Sequence, residues 1–123
     1  MKQKPPILYV DDEPINLLLF KNNFKDAYNV FVGNCAQEGL KVLESHKEID
    51  LVISDMKMPG MDGLEFIETA KKRYPQKKFF IFTGLDISEK IKAAEKSGLI
   101  LQYFRKPLEY KKMDTAIKDA IKT

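Results

Sequence analysis

Five polar residues stand where apolar runs end. Asp11 and Asp12 follow Ile7-Leu8-Tyr9-Val10, Asp55 follows Leu51-Val52-Ile53-Ser54, Thr83 follows Phe79-Phe80-Ile81-Phe82, and Lys106 closes a run that begins at Leu99. Carboxylates gathered in one place repel, and the pKa of one of them is driven up. A hard divalent cation relieves that repulsion, and ligands that are all oxygen suit magnesium (Mg2+), which keeps part of its water shell. A lysine facing the cation adds a second positive charge, and a threonine hydroxyl adds a donor. Such a set fits a dianionic group like phosphoryl, whose oxygens need spread-out positive partners. Asp55 would be the nucleophile, its carboxylate forming an acyl phosphate. Taken by itself, Asp55 is read equally well as a cap for the turn that Pro59 and Gly60 make.

This chemistry requires the five residues to reach one rim, and the patterning predicts elements that deliver them there. Runs at 7–10, 51–53 and 79–82 are continuously apolar, as strands buried on both faces are; Leu51 to Asp55 reads as the central strand, Leu99 to Phe104 as the fifth, and Asn29-Val30-Phe31-Val32 as a strand nearer an edge. Helical periods lie between them. Pro14 suits a first helical position, and 17–24 carries a broad apolar face. Asn34 with Gln37 resembles a capping box ahead of the stripe Ala36, Leu40 and Leu43. Phe66, Ile67, Ala70 and Tyr74 keep a helical period that Pro75 ends. Asp86 with Glu89 is a second candidate box, before Ile87, Ile91 and Ala94, with Gly98 as the stop. Met113, Ala116, Ile117, Ala120 and Ile121 form the clearest amphipathic stripe. The order is strand–helix repeated five times, which predicts one α/β domain over 1–123, a parallel sheet with helices on both faces. In such a sheet every strand's carboxyl end lies on the same rim, where ligands bind.

Composition narrows the function classes. The chain has 123 residues, 44% apolar and 32% charged, with a formal charge of +3, as a soluble globular domain has. No basic helix-turn-helix or aromatic-basic pattern points to direct nucleic-acid contact. Cys35 is alone, so no intramolecular disulfide forms and a reducing compartment fits. No apolar run approaches a membrane span, and the basic start Met1-Lys2-Gln3-Lys4 leads into no signal-like stretch, so a cytoplasmic location is expected. His46 reads as a solvated helix end, Met56, Met58 and Met61 as packing or a flexible contact surface rather than a soft-metal site, Cys35 as a small residue at a helix start, and Tyr9 as core-facing.

The pattern Val10-Asp11-Asp12, Asp55 through Gly63 (DMKMPGMDG), Thr83-Gly84 and Lys106-Pro107 resembles the receiver domain of two-component response regulators. The resemblance covers essentially the whole chain. It implies the flavodoxin-like, doubly wound five-stranded sheet with strand order 2-1-3-4-5. It further implies that Asp55 is the phosphoacceptor, and that Asp12, Asp55 and the Lys57 main-chain carbonyl are magnesium ligands, with Asp11 acting through water. Thr83 and Lys106 would contact the phosphoryl group, Tyr103 would be the aromatic switch, and the bond before Pro107 would be cis. Lys57 and Leu85 would project over the phosphoryl group. Implied partners are a histidine kinase or phosphotransfer protein, and a downstream protein or output domain on the face of the fourth helix, fifth strand and fifth helix, with a phosphorylation-dependent homodimer open. The domain would catalyse only its own phosphorylation and dephosphorylation, and would not act on a separate substrate. Two alternatives are a decayed receiver serving as a scaffold and a magnesium-dependent aspartyl phosphohydrolase, which usually has an acid where Lys57 stands. The stretch from Gly98 to Lys106 is one residue longer than in the commonest receivers and resembles more a subgroup with a Gly-x-Ile-x-Arg-Phe-x-x-Lys-Pro-Trp pattern, whose arginine and tryptophan Gln102 and Leu108 replace.

Overall fold

In the computed structural model, which describes residues 3–122, the strands and helices alternate strictly. They are β1 (Pro6–Val10), α1 (Pro14–Phe24), β2 (Asn29–Gly33), α2 (Ala36–Ser45), β3 (Leu51–Ser54), α3 (Gly63–Arg73), β4 (Lys78–Thr83), α4 (Glu89–Ser97), β5 (Gln102–Arg105) and α5 (Tyr110–Ile121). All four strand pairs are parallel, in the order β2-β1-β3-β4-β5. This is the doubly wound arrangement expected from the sequence, with β2 at an edge.

Side chains alternate across the sheet with the period of two that a strand imposes. Leu8, Val10, Val52, Phe79 and Ile81 face a core shared with Leu43 of α2, Phe66 and Ile67 of α3, and Ile91 of α4. Ile7, Tyr9, Ile53, Phe80 and Phe82 face the opposite core, with Phe20 and Phe24 of α1 and Met113 and Ile117 of α5. Because β1, β3 and β4 are covered on both sides, alternation disappears from their sequences and the runs are continuously apolar.

Four local expectations are corrected. Residues 99–101 lie outside β5: Gly98 turns the chain at φ 84 and Ile100 plugs the core, 1% exposed. The ladder is joined at Leu101, whose N–H donates to the Phe79 carbonyl at 2.8 Å, just ahead of the strand itself. Asn34 and Gln37 do not form a capping box; Cys35 is the N-cap of α2, and the Asn34 N–H donates to the Glu38 carboxylate at 2.7 Å. Asp86 and Glu89 do not form one either. Helix α4 starts later, capped by Ser88, and Asp86 instead pairs with Arg105 at 3.3 Å. Finally, the apolar residues of α1 wrap both sides of the helix: Phe20 and Phe24 are buried, while Ile15, Leu18 and Leu19 are 59%, 54% and 53% exposed.

Candidate functional site

Asp11, Asp55 and Lys106 each stand one position beyond a strand and are held there by one more ladder hydrogen bond, while Thr83 is the last residue of β4. The Asp11 N–H donates to the Gly33 carbonyl at 3.1 Å, Asp55 N–H to Val10 at 2.9 Å, and Lys106 N–H to Thr83 at 2.8 Å. The parallel registers therefore place Asp11, Asp55, Thr83 and Lys106 on one rim. The peptide bond between Lys106 and Pro107 is cis.

The Lys106 ammonium bridges two acids, 2.8 Å from Asp11 Oδ2 and 3.1 Å from Asp55 Oδ2. Asp11 is fully buried and Asp55 nearly so, which without a partner would be costly. The remaining acceptors are satisfied locally: the Glu13 N–H donates to Asp11 Oδ1 at 3.0 Å, and the Met56 N–H to Asp55 Oδ1 at 2.7 Å. Half-buried Asp12 completes a group in which one carboxylate oxygen from each of the three acids lies within 4.8 Å of the other two.

Electrostatics follow from this placement. Burial pushes the Asp55 carboxyl above its ordinary pKa; Lys106 opposes the shift and Asp11 adds to it. Burial alone would lower Lys106, but its bonds and charge attraction to Asp11 and Asp55 outweigh that, and its pKa is raised. The expectation that crowded acids drive a pKa up is thus met at Asp55, although desolvation is the larger cause.

A cleft of about 480 Å³ opens over Asp55, with Asp12, Lys57, Thr83, Leu85 and Lys106 on its walls. Thr83 is buried, and its Oγ1 accepts from the Leu85 N–H at 3.2 Å. Tyr103 lies further down the ladder, paired with Ile81 where Arg105 pairs with Thr83, and its half-buried ring packs against the α2–α3–α4 core. His46 caps the far end of α2, its ring 4.3 Å from that of Phe31. Met58 is buried, with Met56 and Met61 packed against the same core. Cys35 is half-buried and unpaired.

Two features went unread in the sequence. Tyr9 is core-facing as expected, yet its hydroxyl donates to Asp11 Oδ2 at 2.6 Å. Tyr9 and Asp11 are two apart along a strand direction, and so share a face; that spacing was a usable signal. The other is a full capping box at the start of α3, where Asp62 and Glu65 exchange bonds of 2.9 Å. Its D-x-x-E spacing is visible in the chain.

An open parallel sheet in the order 2-1-3-4-5, with acids, threonine and lysine on its carboxyl rim, defines a receiver domain. The profile of the response regulator receiver domain matches residues 7–118, and the chain belongs to that family. It is 34% identical to the transcriptional regulatory protein GlrR of Escherichia coli over 98% of its own length, but spans only 27% of that protein. It is 33% identical to sporulation initiation phosphotransferase F of Bacillus subtilis, covering 91% of this chain and 90% of the relative. A response regulator receiver domain protein from Clostridium thermocellum superposes with a TM-score of 0.88 at 33% identity, covering 95% of this chain and 94% of the other. Among the described residues, no helix is long and apolar enough to cross a membrane.

Proposed function

We propose that the domain receives a phosphoryl group on Asp55 from a phosphohistidine and thereby controls a partner protein or output domain. The observation that carries this reading is the Lys106 bridge: one ammonium within 3.1 Å of the acid at the floor of an open cleft. An Asp55 oxygen attacks phosphorus, the phosphorus–nitrogen bond breaks, and the imidazole leaves with the bonding pair. The Lys106 ammonium and the Thr83 hydroxyl then serve the phosphoryl oxygens.

The donor set fits a hard divalent cation, since it is all oxygen, clustered within 4.8 Å, and two of its three members are buried. Asp12, Asp55 and the Lys57 carbonyl would hold magnesium, with Asp11 acting through water. Magnesium supplies charge neutralisation of the phosphoryl oxygens. The protein is not an enzyme toward a separate substrate. A phosphohydrolase would require an acid where Lys57 stands, and the complete set of site residues speaks against a decayed scaffold.

The donor docks across α1. Ile15, Leu18 and Leu19 of this helix are exposed, and Leu19 lines an apolar cleft of about 400 Å³ with Phe82, Pro107 and Leu108 beside Lys106. The output is read on α4, β5 and α5, where Tyr110 is exposed and Leu101, just ahead of β5, is exposed too, and Tyr103 is the switch; a second copy of the chain is one partner this face could take. The domain works in the cytoplasm and touches no nucleic acid itself.

Incubation with magnesium and acetyl phosphate should add one phosphoryl group by intact mass, and none to Asp55→Asn. Label persisting in that variant would overturn the assignment.

A further inference from the structure

The Asp11 carboxylate has one more donor than its neighbour at the centre of the site. Asp55 accepts from Met56 N–H and Lys106, whereas Asp11 accepts from Glu13 N–H, Lys106 and the Tyr9 phenol. The phenol and the ammonium share a single oxygen, Oδ2, at 2.6 and 2.8 Å. A strand buried on both faces is most simply filled by an apolar residue there, and a buried tyrosine is tolerated where its hydroxyl finds a partner.

The ring is fixed in place. It stacks on Phe20 at 4.2 Å and 19°, lies 6.2 Å from Phe82, and is wholly buried. A short bond from a neutral hydroxyl to a carboxylate belongs to the stronger class of hydrogen bonds. We propose that Tyr9 is a positioning residue whose hydroxyl weakens the hold of the Asp11 carboxylate on a divalent cation and keeps that carboxylate satisfied when Lys106 leaves it. The inference rests on the reading that Asp11, Asp12 and Asp55 together serve such a cation.

Removing the hydroxyl could act through geometry or through charge, and the contacts decide between them. Glu13 N–H and Lys106 still orient the carboxylate without Tyr9, so geometry changes little. Charge changes more: a donor that draws electron density from Oδ2 is gone, and the oxygen's attraction for a cation rises. The second half of the role concerns exchange. When Lys106 turns to an incoming phosphoryl group, a fully buried Oδ2 would lose its only donor but for the phenol, and an unsatisfied buried acceptor is costly. The hydroxyl thus lowers the barrier to lending out the lysine.

The test is magnesium alone, titrated by calorimetry and by amide chemical shifts with no phosphodonor present. Tyr9→Phe keeps the stacked ring and should bind magnesium about fivefold more tightly, the effect of one hydrogen bond. Phe20→Leu disturbs the stack but keeps the hydroxyl, and should stay within about twofold of wild type. In the wild-type protein the slowly exchanging Tyr9 hydroxyl proton should appear well downfield and move as magnesium saturates, a measurement that needs no variant. Equal or weaker binding by Tyr9→Phe, a change in Phe20→Leu as large as that in Tyr9→Phe, or a hydroxyl resonance indifferent to magnesium would each overturn the inference. If wild type binds no magnesium, the cation reading falls and this inference with it; if it binds and the Tyr9→Phe affinity is unchanged, only the inference falls.

Discussion

Gly63 lies against the main chain of Asp55: a Cβ added to it would stand 2.2 Å from the Asp55 carbonyl oxygen and 2.9 Å from Met56 Cα. Both obstacles are backbone, so neither can rotate away. The Gly63 N–H also donates to the Met56 carbonyl at 2.7 Å, and α3 begins here on its capping box. The start of α3 and the loop that carries Asp55 are therefore one rigid block.

Gly63→Ala should cost about 2–3 kcal/mol by overpacking and slow phosphorylation, because the block must shift under the nucleophile. Urea denaturation measures the first effect and acetyl phosphate labelling the second. Wild-type values for both would show that the contact is relieved elsewhere.

The raised pKa of Asp55 carries a stability consequence of definite sign. Its burial favours the neutral form in the fold, so that contribution is complete below the unfolded pKa and is lost as pH rises through the higher folded value. Near neutrality the ionised carboxylate is then a cost. Asp55→Asn should melt higher at pH 7, by on the order of 1 kcal/mol or roughly 4 °C, and the gap should close in acid. Equal melting at pH 7 would contradict this.

Lys106→Met leaves Asp11 and Asp55 facing each other with no ammonium between them. In chelator it should lose about 3 kcal/mol, as broken buried ion pairs do. Added magnesium should recover part of the loss, since binding to the folded state alone stabilises it. Because Lys106 is held above its ordinary pKa, the bridge is complete below the unfolded value and fails only as pH rises through the higher folded one. Melting curves with chelator and with magnesium test this, and a deficit unaffected by magnesium would count against a cation site.

Lys57 and Leu85 both line the cleft above Asp55. Leu85 has no side-chain donor or acceptor to hold a hydrolytic water, and Lys57 can cover a phosphoryl oxygen. In-line attack depends on position to within about an ångström, so shielding should dominate and the phosphorylated form should decay slowly. Lys57→Asn and Leu85→Glu should each shorten its lifetime. Unchanged decay would mean that neither side chain sets it.

Phosphorylation should reach Tyr103 through Thr83, because a buried hydroxyl that turns toward a phosphoryl group leaves room beside it. A ligand shifts an equilibrium only through such differential contacts. Hydrogen exchange should change from Thr83 through Tyr110 on phosphorylation. Protection changes restricted to the loop after Asp55 would separate the switch from the acceptor.

The sheet was legible because burial on both faces leaves a plain trace. Leu51-Val52-Ile53 and Phe79 to Phe82 admit no polar alternation, and an acid or a threonine after them marks the rim. Caps were less legible. Asn34–Gln37 and Asp86–Glu89 have suitable spacing, but where a helix starts depends on packing several residues on, and Asp86 finds Arg105 instead. The exposed side of α1 was hidden for the opposite reason. Ile15, Leu18 and Leu19 have the chemistry of a core, and only the shape of the folded molecule shows that nothing covers them. The Tyr9 hydroxyl is a single atom that apolar patterning passes over.

The Lys106–Asp11 contact spans 95 residues and Lys106–Asp55 spans 51. A chain growing from its N-terminus therefore brings its acids to the rim long before the cation that reconciles them has been made. Contacts of such long sequence separation carry the largest loop-closure cost and form late in folding. The last strand closes the electrostatic circuit as well as the sheet, so a chain stopped short of Lys106 should be less stable and also chemically mute. Competence to receive a signal thus arrives in the same step that completes the sheet.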